Sequence, residues 1–272
     1  MYQAHWGLRE SPFRGLLDPK FFNQSPTHDE ALARLQFLVH QRRRLGLLVG
    51  PSGSGKSLLL EVFAEQLRRS ARPVAKLSLL GVEPAEMLWS LAVGWGMSLE
   101  PTQSLATLWR AVTDRLIEYR YQQLEAVVLL DDADQADAQV LQQVTRLAGF
   151  DPSPETRLTL VLAGRTEGMS KWGGRLLDLA ELRIDIEPWE PADTEDFLNT
   201  RLAQAGRQSP VFAEPAVARL HELSHGIPRR VSQLADLALV AGAGQDLQQI
   251  DADVVEEVYR ELGMGCCRAI PS

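Results

Sequence analysis

The chain has 272 residues, of which 45% are hydrophobic and 24% are charged, and its formal net charge is -8. These proportions are typical of globular proteins and exclude a disordered chain, and the net acidity excludes a protein that coats nucleic acid through its overall charge. No apolar run approaches the roughly 20 residues of a membrane-spanning helix. The two cysteines, Cys266 and Cys267, are adjacent, which excludes a disulfide scaffold. The composition therefore predicts a soluble, cytoplasmic protein.

Residues 1–44 form a predicted N-terminal segment that begins with aromatic, proline and glycine residues and ends in a helix. Thr27 is its predicted N-cap, and Glu30, three residues on, completes a capping box. The triplet Arg42-Arg43-Arg44 ends this helix, where cations favour the helix dipole. The triplet is interpreted either as a solvated cap or as a contact with DNA or a partner protein.

Residues 45–190 form the predicted core, in which short apolar runs alternate with helical patterns. The predicted strands are 45–49, 73–79, 126–130, 158–162 and 182–186, and the predicted helices are 55–69, 84–95, 104–121 and 135–149. Alternation of this kind indicates a parallel sheet with helices on both faces, a three-layer α/β fold. The uninterrupted apolar run 126–130 is typical of a central strand.

Residues 191–264 carry helical patterns only, near 192–206, 214–224, 228–242 and 250–261. They predict a small, all-helical second domain, and residues 265–272 are a predicted tail.

The segment after the first strand fits the pattern G-x-x-x-x-G-K-[ST]. Glycines at fixed places allow successive backbone N–H groups to point at phosphate oxygens, and the following helix directs its positive dipole end at them. Lys56 can reach the β- and γ-phosphates, and the Ser57 hydroxyl can bind Mg²⁺. The predicted nucleotide-binding residues here are Gly50, Pro51, Ser52, Gly53, Ser54, Gly55, Lys56, Ser57 and Leu58.

Three aspartates follow the central strand. Asp131, directly after the apolar run, is the predicted Mg²⁺ ligand, and Asp132 is placed to orient or deprotonate the attacking water. Asp134 is predicted to be the N-cap of the next helix, because aspartate favours that position.

Transfer of a phosphoryl group also requires positive charge at the transition state. Arg229, at a helix start in the second domain, can reach the phosphates and couple that domain to the nucleotide. Arg165, after the fourth strand, is placed near the γ-phosphate but can equally be solvated. Arg183, or Arg175 nearby, is a candidate for acting on the nucleotide of a neighbouring subunit, with a simple salt bridge as the alternative.

These motifs together resemble the AAA+ superfamily, and the N-terminal stretch narrows the resemblance to the general secretion pathway A-type ATPases. The residues that carry it are 50–57, 127–132, Gly226-Ile227-Pro228-Arg229, Met1-Tyr2, Trp6-Gly7-Leu8, Ser11-Pro12-Phe13, Asp18-Pro19 and 25–32. The similarity continues through Arg201-Leu202, Phe212 and Ser224-His225 and so covers about residues 1–262.

The resemblance implies a P-loop core with a five-stranded parallel sheet, a helical lid, and an Mg²⁺- and ATP-dependent switch that works in an oligomer. Ile227 and Pro228 would pack near the adenine. Such ATPases are cytoplasmic modules that work with a partner protein to assemble a secretion pore, at the inner-membrane face. Related ATPases that regulate transposition bind DNA in an ATP-dependent way, which is the alternative function.

The chain departs from that family in three ways. The family carries Asp-Glu where this chain has Asp131-Asp132, and the shorter aspartate implies slow hydrolysis or a repositioned water. Arg165 replaces an uncharged polar residue. Relatives usually continue into a membrane span and a periplasmic part, so we expect either a fragment or a shortened relative. The aspartate at position 132 also supports a third possible function, that of a nucleotide binder that forms oligomers without hydrolysing ATP.

Overall fold

The computed structural model describes residues 2–13, 19, 22, 25–151 and 157–263. The chain forms two compact units. One, the sheet unit, comprises Leu17–Ser52 and Lys56–Glu187, and the other, the helical unit, comprises Met1–Leu16, Gly53–Gly55 and Pro188–Ser272. The predicted tail with both cysteines lies outside the described residues.

Eleven α-helices and five β-strands make up the described part of the chain. The strands are β1 (Leu45–Gly50), β2 (Val74–Ser78), β3 (Ala126–Asp131), β4 (Leu158–Arg165) and β5 (Leu182–Asp185). The helices are α1 (Tyr2–Trp6), α2 (Pro26–His40), α3 (Lys56–Arg69), α4 (Pro84–Gly94), α5 (Leu105–Tyr121), α6 (Ala138–Ala148), α7 (Gly174–Asp178), α8 (Pro191–Gln204), α9 (Glu214–Ser224), α10 (Pro228–Gly244) and α11 (Ala252–Glu261). No helix in the described part of the chain has the length and apolar character needed to cross a membrane.

The five strands form one parallel sheet in the order β2-β3-β4-β1-β5. Every residue of β1 and of β3 is buried. Alternate residues of β3 pack on opposite faces, since Val128 and Leu130 join the cluster with α4, α5 and α6, whereas Val127 and Leu129 join the cluster with α2 and α3. The prediction of a three-layer α/β core with a five-stranded parallel sheet is thus confirmed.

The predicted N-cap at Thr27 is wrong. Helix α2 begins at Pro26, and Ser25 occupies the N-cap position. Proline favours the first turn of a helix, because the N–H that it lacks would have no partner within the helix.

The helical unit contains α8 to α11 and also the first residues of the chain. Trp6 is 1% exposed among the residues of this unit, and its Nε1 donates a hydrogen bond to the Leu239 carbonyl oxygen at 2.8 Å. Phe13 packs against Phe197 and Phe212. The predicted segment 1–44 is therefore shared between the units, because Trp6 and Phe13 are buried among the C-terminal helices while α2 packs on the sheet.

Candidate functional site

The loop between β1 and α3 has the backbone that the glycine pattern predicts. Gly53 and Gly55 have φ angles of +84° and +96°, in the region where a residue with a Cβ is strained. Ser54 is 1% exposed. Leu58 lies in the first turn of α3. The loop thus turns sharply between a buried strand and a helix N-terminus, which is the backbone arrangement that binds phosphate.

Lys56 is the first residue of α3, and its side chain turns back onto the loop. Its Nζ donates hydrogen bonds to the carbonyl oxygens of Gly50 at 2.9 Å and Pro51 at 2.8 Å. The residue is only 9% exposed. A buried ammonium requires acceptors to offset its desolvation, and these carbonyls supply them inside the loop. The positive charge therefore lies at the predicted phosphate site.

Asp131 is the last residue of β3 and is 6% exposed. Burial raises the pKa of its carboxyl, and hydrogen bonds from the Ser57 hydroxyl and the Asp132 backbone N–H offset only part of this rise. A buried carboxylate beside a hydroxyl offers the oxygen ligands that Mg²⁺ prefers, with phosphates and waters completing its coordination. The donor set of Asp131 and Ser57 therefore fits the predicted metal.

Asp132 follows in a left-handed conformation with φ of +54°, which aspartate tolerates better than most residues. Its Oδ2 accepts a hydrogen bond from the Ser78 hydroxyl at 2.7 Å. Ser78 ends β2 and is the Cα partner of Asp131 in the sheet. Sequence reasoning missed Ser78, although a polar residue at the carboxyl end of the neighbouring strand was a usable signal.

The predicted N-cap role of Asp134 is wrong. Helix α6 begins at Ala138 with Asp137 as N-cap, and Asp134 lies in a 3-10 turn with its side chain only 3% exposed. Its Oδ2 accepts a hydrogen bond from Arg165 Nε at 2.6 Å, and its Oδ1 accepts one from the Arg165 backbone N–H at 3.1 Å. Burial on its own would raise the pKa of Asp134, but hydrogen bonds from Gln135 and Arg165 leave the pKa below its ordinary value.

Arg165 ends β4 and is the Cα partner of Gly50, the first residue of the phosphate loop. Its side chain is 46% exposed. Arg165 therefore lies beside the phosphate loop with nearly half of its side chain exposed, and its role at the γ-phosphate stays a prediction. The ion pair with Asp134 was not predicted.

Arg183 lies on β5 and forms an ion pair with Asp185 of the same strand, with Nη2 and Oδ1 2.6 Å apart. About half of each of these side chains is exposed. Arg175 lies on α7 and is exposed. The action of either arginine on a neighbouring subunit stays a prediction.

Ile227, Pro228 and Arg229 lie at the start of α10 in the helical unit. Ile227 is the N-cap and is 6% exposed, and Pro228 opens the helix. The backbone N–H of Arg229 donates a hydrogen bond to the carbonyl oxygen of Gly53, a residue that belongs to the same unit, at 3.2 Å. A Cβ on Gly53 would lie 2.9 Å from the Arg229 Cβ. Glycine is therefore required here by space as well as by φ.

Comparison with known proteins found one matching family and one similar protein. Residues 39–171 match a family described as an AAA domain. General secretion pathway protein A of Aeromonas hydrophila is 28% identical over 269 residues, which are 97% of this chain and 49% of that protein. The chain thus spans about half of the length of this curated relative.

Solved structures with lower identity share the fold. The ORC2 protein of Aeropyrum pernix, in ADPNP–ADP complexes, has a TM-score of 0.69 at 14% identity, covering 93% of this chain and 72% of that chain. Cdc6p of Pyrobaculum aerophilum has a TM-score of 0.70 at 16% identity, with coverages of 90% and 71%. The Thermotoga maritima RuvB Holliday junction branch migration motor has a TM-score of 0.60 at 13% identity, with coverages of 92% and 73%.

Proposed function

We propose that this chain, which has the fold of AAA+ P-loop ATPases and resembles general secretion pathway protein A, binds and hydrolyses ATP with Mg²⁺ to assemble or remodel a protein complex. The observation that carries the proposal is the arrangement at the ends of β1 and β3. A phosphate loop with the buried Lys56 follows β1, and the buried Asp131, with a hydrogen bond from Ser57, ends β3.

The residues of the loop would bind the phosphates of the nucleotide. Backbone N–H groups between Gly53 and Lys56 are the donors, and Lys56 supplies the charge opposite the β- and γ-phosphates. Ser57 and Asp131 would hold Mg²⁺, which when bound neutralises charge that develops on the phosphate oxygens. The raised pKa of Asp131 supports this role, because an added cation would favour its ionised form.

Asp132 would orient the attacking water and accept its proton. Its carboxylate accepts a hydrogen bond from the Ser78 hydroxyl, which restrains the orientation of the side chain. This restraint and the shorter side chain both favour slow hydrolysis. Arg165 and Arg229 are the proposed cations for the nucleotide in the same subunit, and Arg183 is the proposed cation for a neighbouring one.

A secretion-type partner protein and an oligomeric form are proposed from the resemblance to general secretion pathway protein A. The same likeness supports a place in the cytoplasm, at the inner-membrane face.

The alternative function is ATP-dependent DNA binding, of the kind suggested by solved structures of the same fold such as an ORC1 protein in complex with DNA. The ion pairs of the basic triplet weigh against it. Arg42 pairs with Glu125 at 3.2 Å and Arg43 pairs with Glu181 at 3.1 Å. Acidic partners therefore offset two of the three charges that would contact DNA.

Phosphate release by the purified chain tests the proposal. We expect slow, Mg²⁺-dependent turnover that is lost in Lys56→Ala, and a matched control, Arg69→Ala in the last turn of the same helix, that keeps it. Arg69 is 74% exposed. Asp132→Glu should raise the rate if the aspartate attenuates the enzyme.

Two results would change the assignment. ATP binding without turnover, in wild type and in Asp132→Glu, would point to a nucleotide-gated binder. Salt-sensitive DNA binding that requires ATP and is lost when Arg42, Arg43 and Arg44 are replaced by alanine would support the alternative.

A further inference from the structure

Asp134 is a buried carboxylate that the proposed chemistry does not use. Besides Arg165, its Oδ2 accepts a hydrogen bond from Gln135 Nε2 at 2.6 Å, and its backbone carbonyl accepts one from Lys171 Nζ at 3.5 Å. A carboxylate buried in this way is stable only with charge-assisted partners. Asp134 therefore joins the turn after β3 to the segment that follows β4.

Two glycines, Gly164 near the end of β4 and Gly168 after it, leave the space that Asp134 occupies. A Cβ on Gly168 would lie 2.2 Å from the Asp134 Cβ, and a Cβ on Gly164 would lie 3.0 Å from its Oδ1. Cβ atoms essentially never show a contact like the one at Gly168, and the one at Gly164 would be unusually tight. The position of Asp134 is thus fixed by packing as well as by hydrogen bonds.

Asp134 engages only one side of the Arg165 guanidinium. The bonds run from Nε and from the backbone N–H. Within the described part of the chain, no residue accepts a hydrogen bond from Nη1 or Nη2 of Arg165. These two groups form a fork that matches the oxygens of a phosphate. The guanidinium is therefore oriented and still available to a second anion.

Arg165 also lies beside the predicted phosphate site. In the parallel ladder its Cα partner is Gly50, so the residue adjoins the first residue of the phosphate loop. We propose that Asp134 is a positioning residue, which orients Arg165 so that the Nη groups bind the terminal phosphate of a nucleoside triphosphate. This inference rests on the proposed function and extends it, since it makes Asp134 a determinant of the preference for ATP over ADP.

Equilibrium binding of Mg²⁺-ADP and of a non-hydrolysable Mg²⁺-ATP analogue, in a double-mutant cycle, tests the inference. Asp134→Asn should lower the ratio of triphosphate to diphosphate affinity by about tenfold, the size expected when a charge-assisted contact loses its geometry, with ADP affinity unchanged. In an Arg165→Gln background the same substitution should leave the ratio unchanged, because Asp134 acts through Arg165.

Asp151→Asn is the matched control, because it breaks another Arg–Asp ion pair of the sheet unit, with Arg120 Nη1 and Asp151 Oδ2 3.0 Å apart. It should not move the ratio. If Asp134→Asn does not fold, as judged by thermal denaturation, Asp134→Glu replaces it, since the longer carboxylate displaces the guanidinium and should lower the ratio too.

The inference is overturned if Asp134→Asn lowers both affinities equally, leaves the ratio unchanged, or acts as strongly with Arg165→Gln as without it. These outcomes leave the proposed function intact as long as wild type binds the nucleotides and Lys56→Ala does not. A wild-type protein that binds neither nucleotide overturns both proposals.

Discussion

The hydrogen bond between Ser78 and Asp132 makes the rate of hydrolysis sensitive to Ser78, a residue that the sequence motifs did not include. Ser78→Ala removes the hydroxyl that donates to Asp132 Oδ2 at 2.7 Å. A hydrogen bond to a charged group contributes about 1.5–3 kcal/mol, and the lower end applies because Ser78 is exposed. The bond holds Oδ2 towards Ser78, so the carboxylate gives up this stabilisation when it turns to contact the attacking water.

The expected effect is therefore an increase in kcat. A bond of about 1.5 kcal/mol sets an upper limit of roughly tenfold, and we expect an increase between about threefold and tenfold with KM unchanged. Steady-state phosphate release at saturating Mg²⁺-ATP measures it. Ser70→Ala is the control, because Ser70 is an exposed serine whose hydroxyl donates a hydrogen bond to the helix carbonyl of Gln66 at 3.0 Å.

Two results would refute this reasoning. A lower kcat in Ser78→Ala would mean that the hydroxyl orients Asp132 productively. An unchanged kcat, in a protein that Asp132→Asn inactivates, would mean that the bond is already broken when the water attacks the phosphate.

Two further predictions concern stability. Burial raises the pKa of Asp131, so the folded state favours the protonated carboxyl. The nucleotide-free protein therefore becomes less stable as the pH rises from the unfolded-state pKa of this carboxyl to its folded-state pKa. Asp131→Asn should thus raise the Tm in EDTA by a margin that grows as the pH rises above about 4, the ordinary pKa of aspartate. Thermal denaturation at several pH values measures it, and a margin that shrinks as the pH rises would contradict the sign of the shift. Trp6→Ala should cost the helical unit about 3–5 kcal/mol in chemical denaturation, because it removes a fully buried ring and its bond to Leu239, whereas Tyr121→Ala, at an 84% exposed ring, should cost less than about 0.5 kcal/mol. Equal losses in the two variants would contradict the burial of Trp6.

The elements of the sheet unit were predictable because their signals are local. An uninterrupted apolar run such as 126–130 has one stable place, in a strand covered on both faces, and the glycine pattern of the phosphate loop dictates its own backbone. The burial of the N-terminal aromatic residues could be expected from their type. Their location could not, because Trp6 bonds to a residue 233 positions away.

The ion pair of Asp134 and Arg165 was out of reach for a related reason. It joins residues 31 positions apart, and it exists only because the chain after β3 forms a 3-10 turn before α6 begins. Aspartate is a favoured N-cap residue, and both Asp134 and Asp137 precede the helical pattern of α6. The sequence alone gives no reason to prefer Asp137. The turn decides between them, and its conformation depends on packing against Gly164 and Gly168.

The two buried carboxylates after β3 differ in how their charge is compensated, and this difference separates their roles. Asp134 has a guanidinium and an amide as donors, and its pKa falls below the ordinary value. Asp131 has mainly a hydroxyl and a backbone N–H, and its pKa rises. A buried carboxylate whose charge the protein compensates incompletely gains most from an added cation, whereas one already paired gains little. The sequence Asp-Asp-Ala-Asp distinguishes these residues only by their order after the strand. Their surroundings in the fold give the physical reason to assign the metal to Asp131 and the positioning of Arg165 to Asp134.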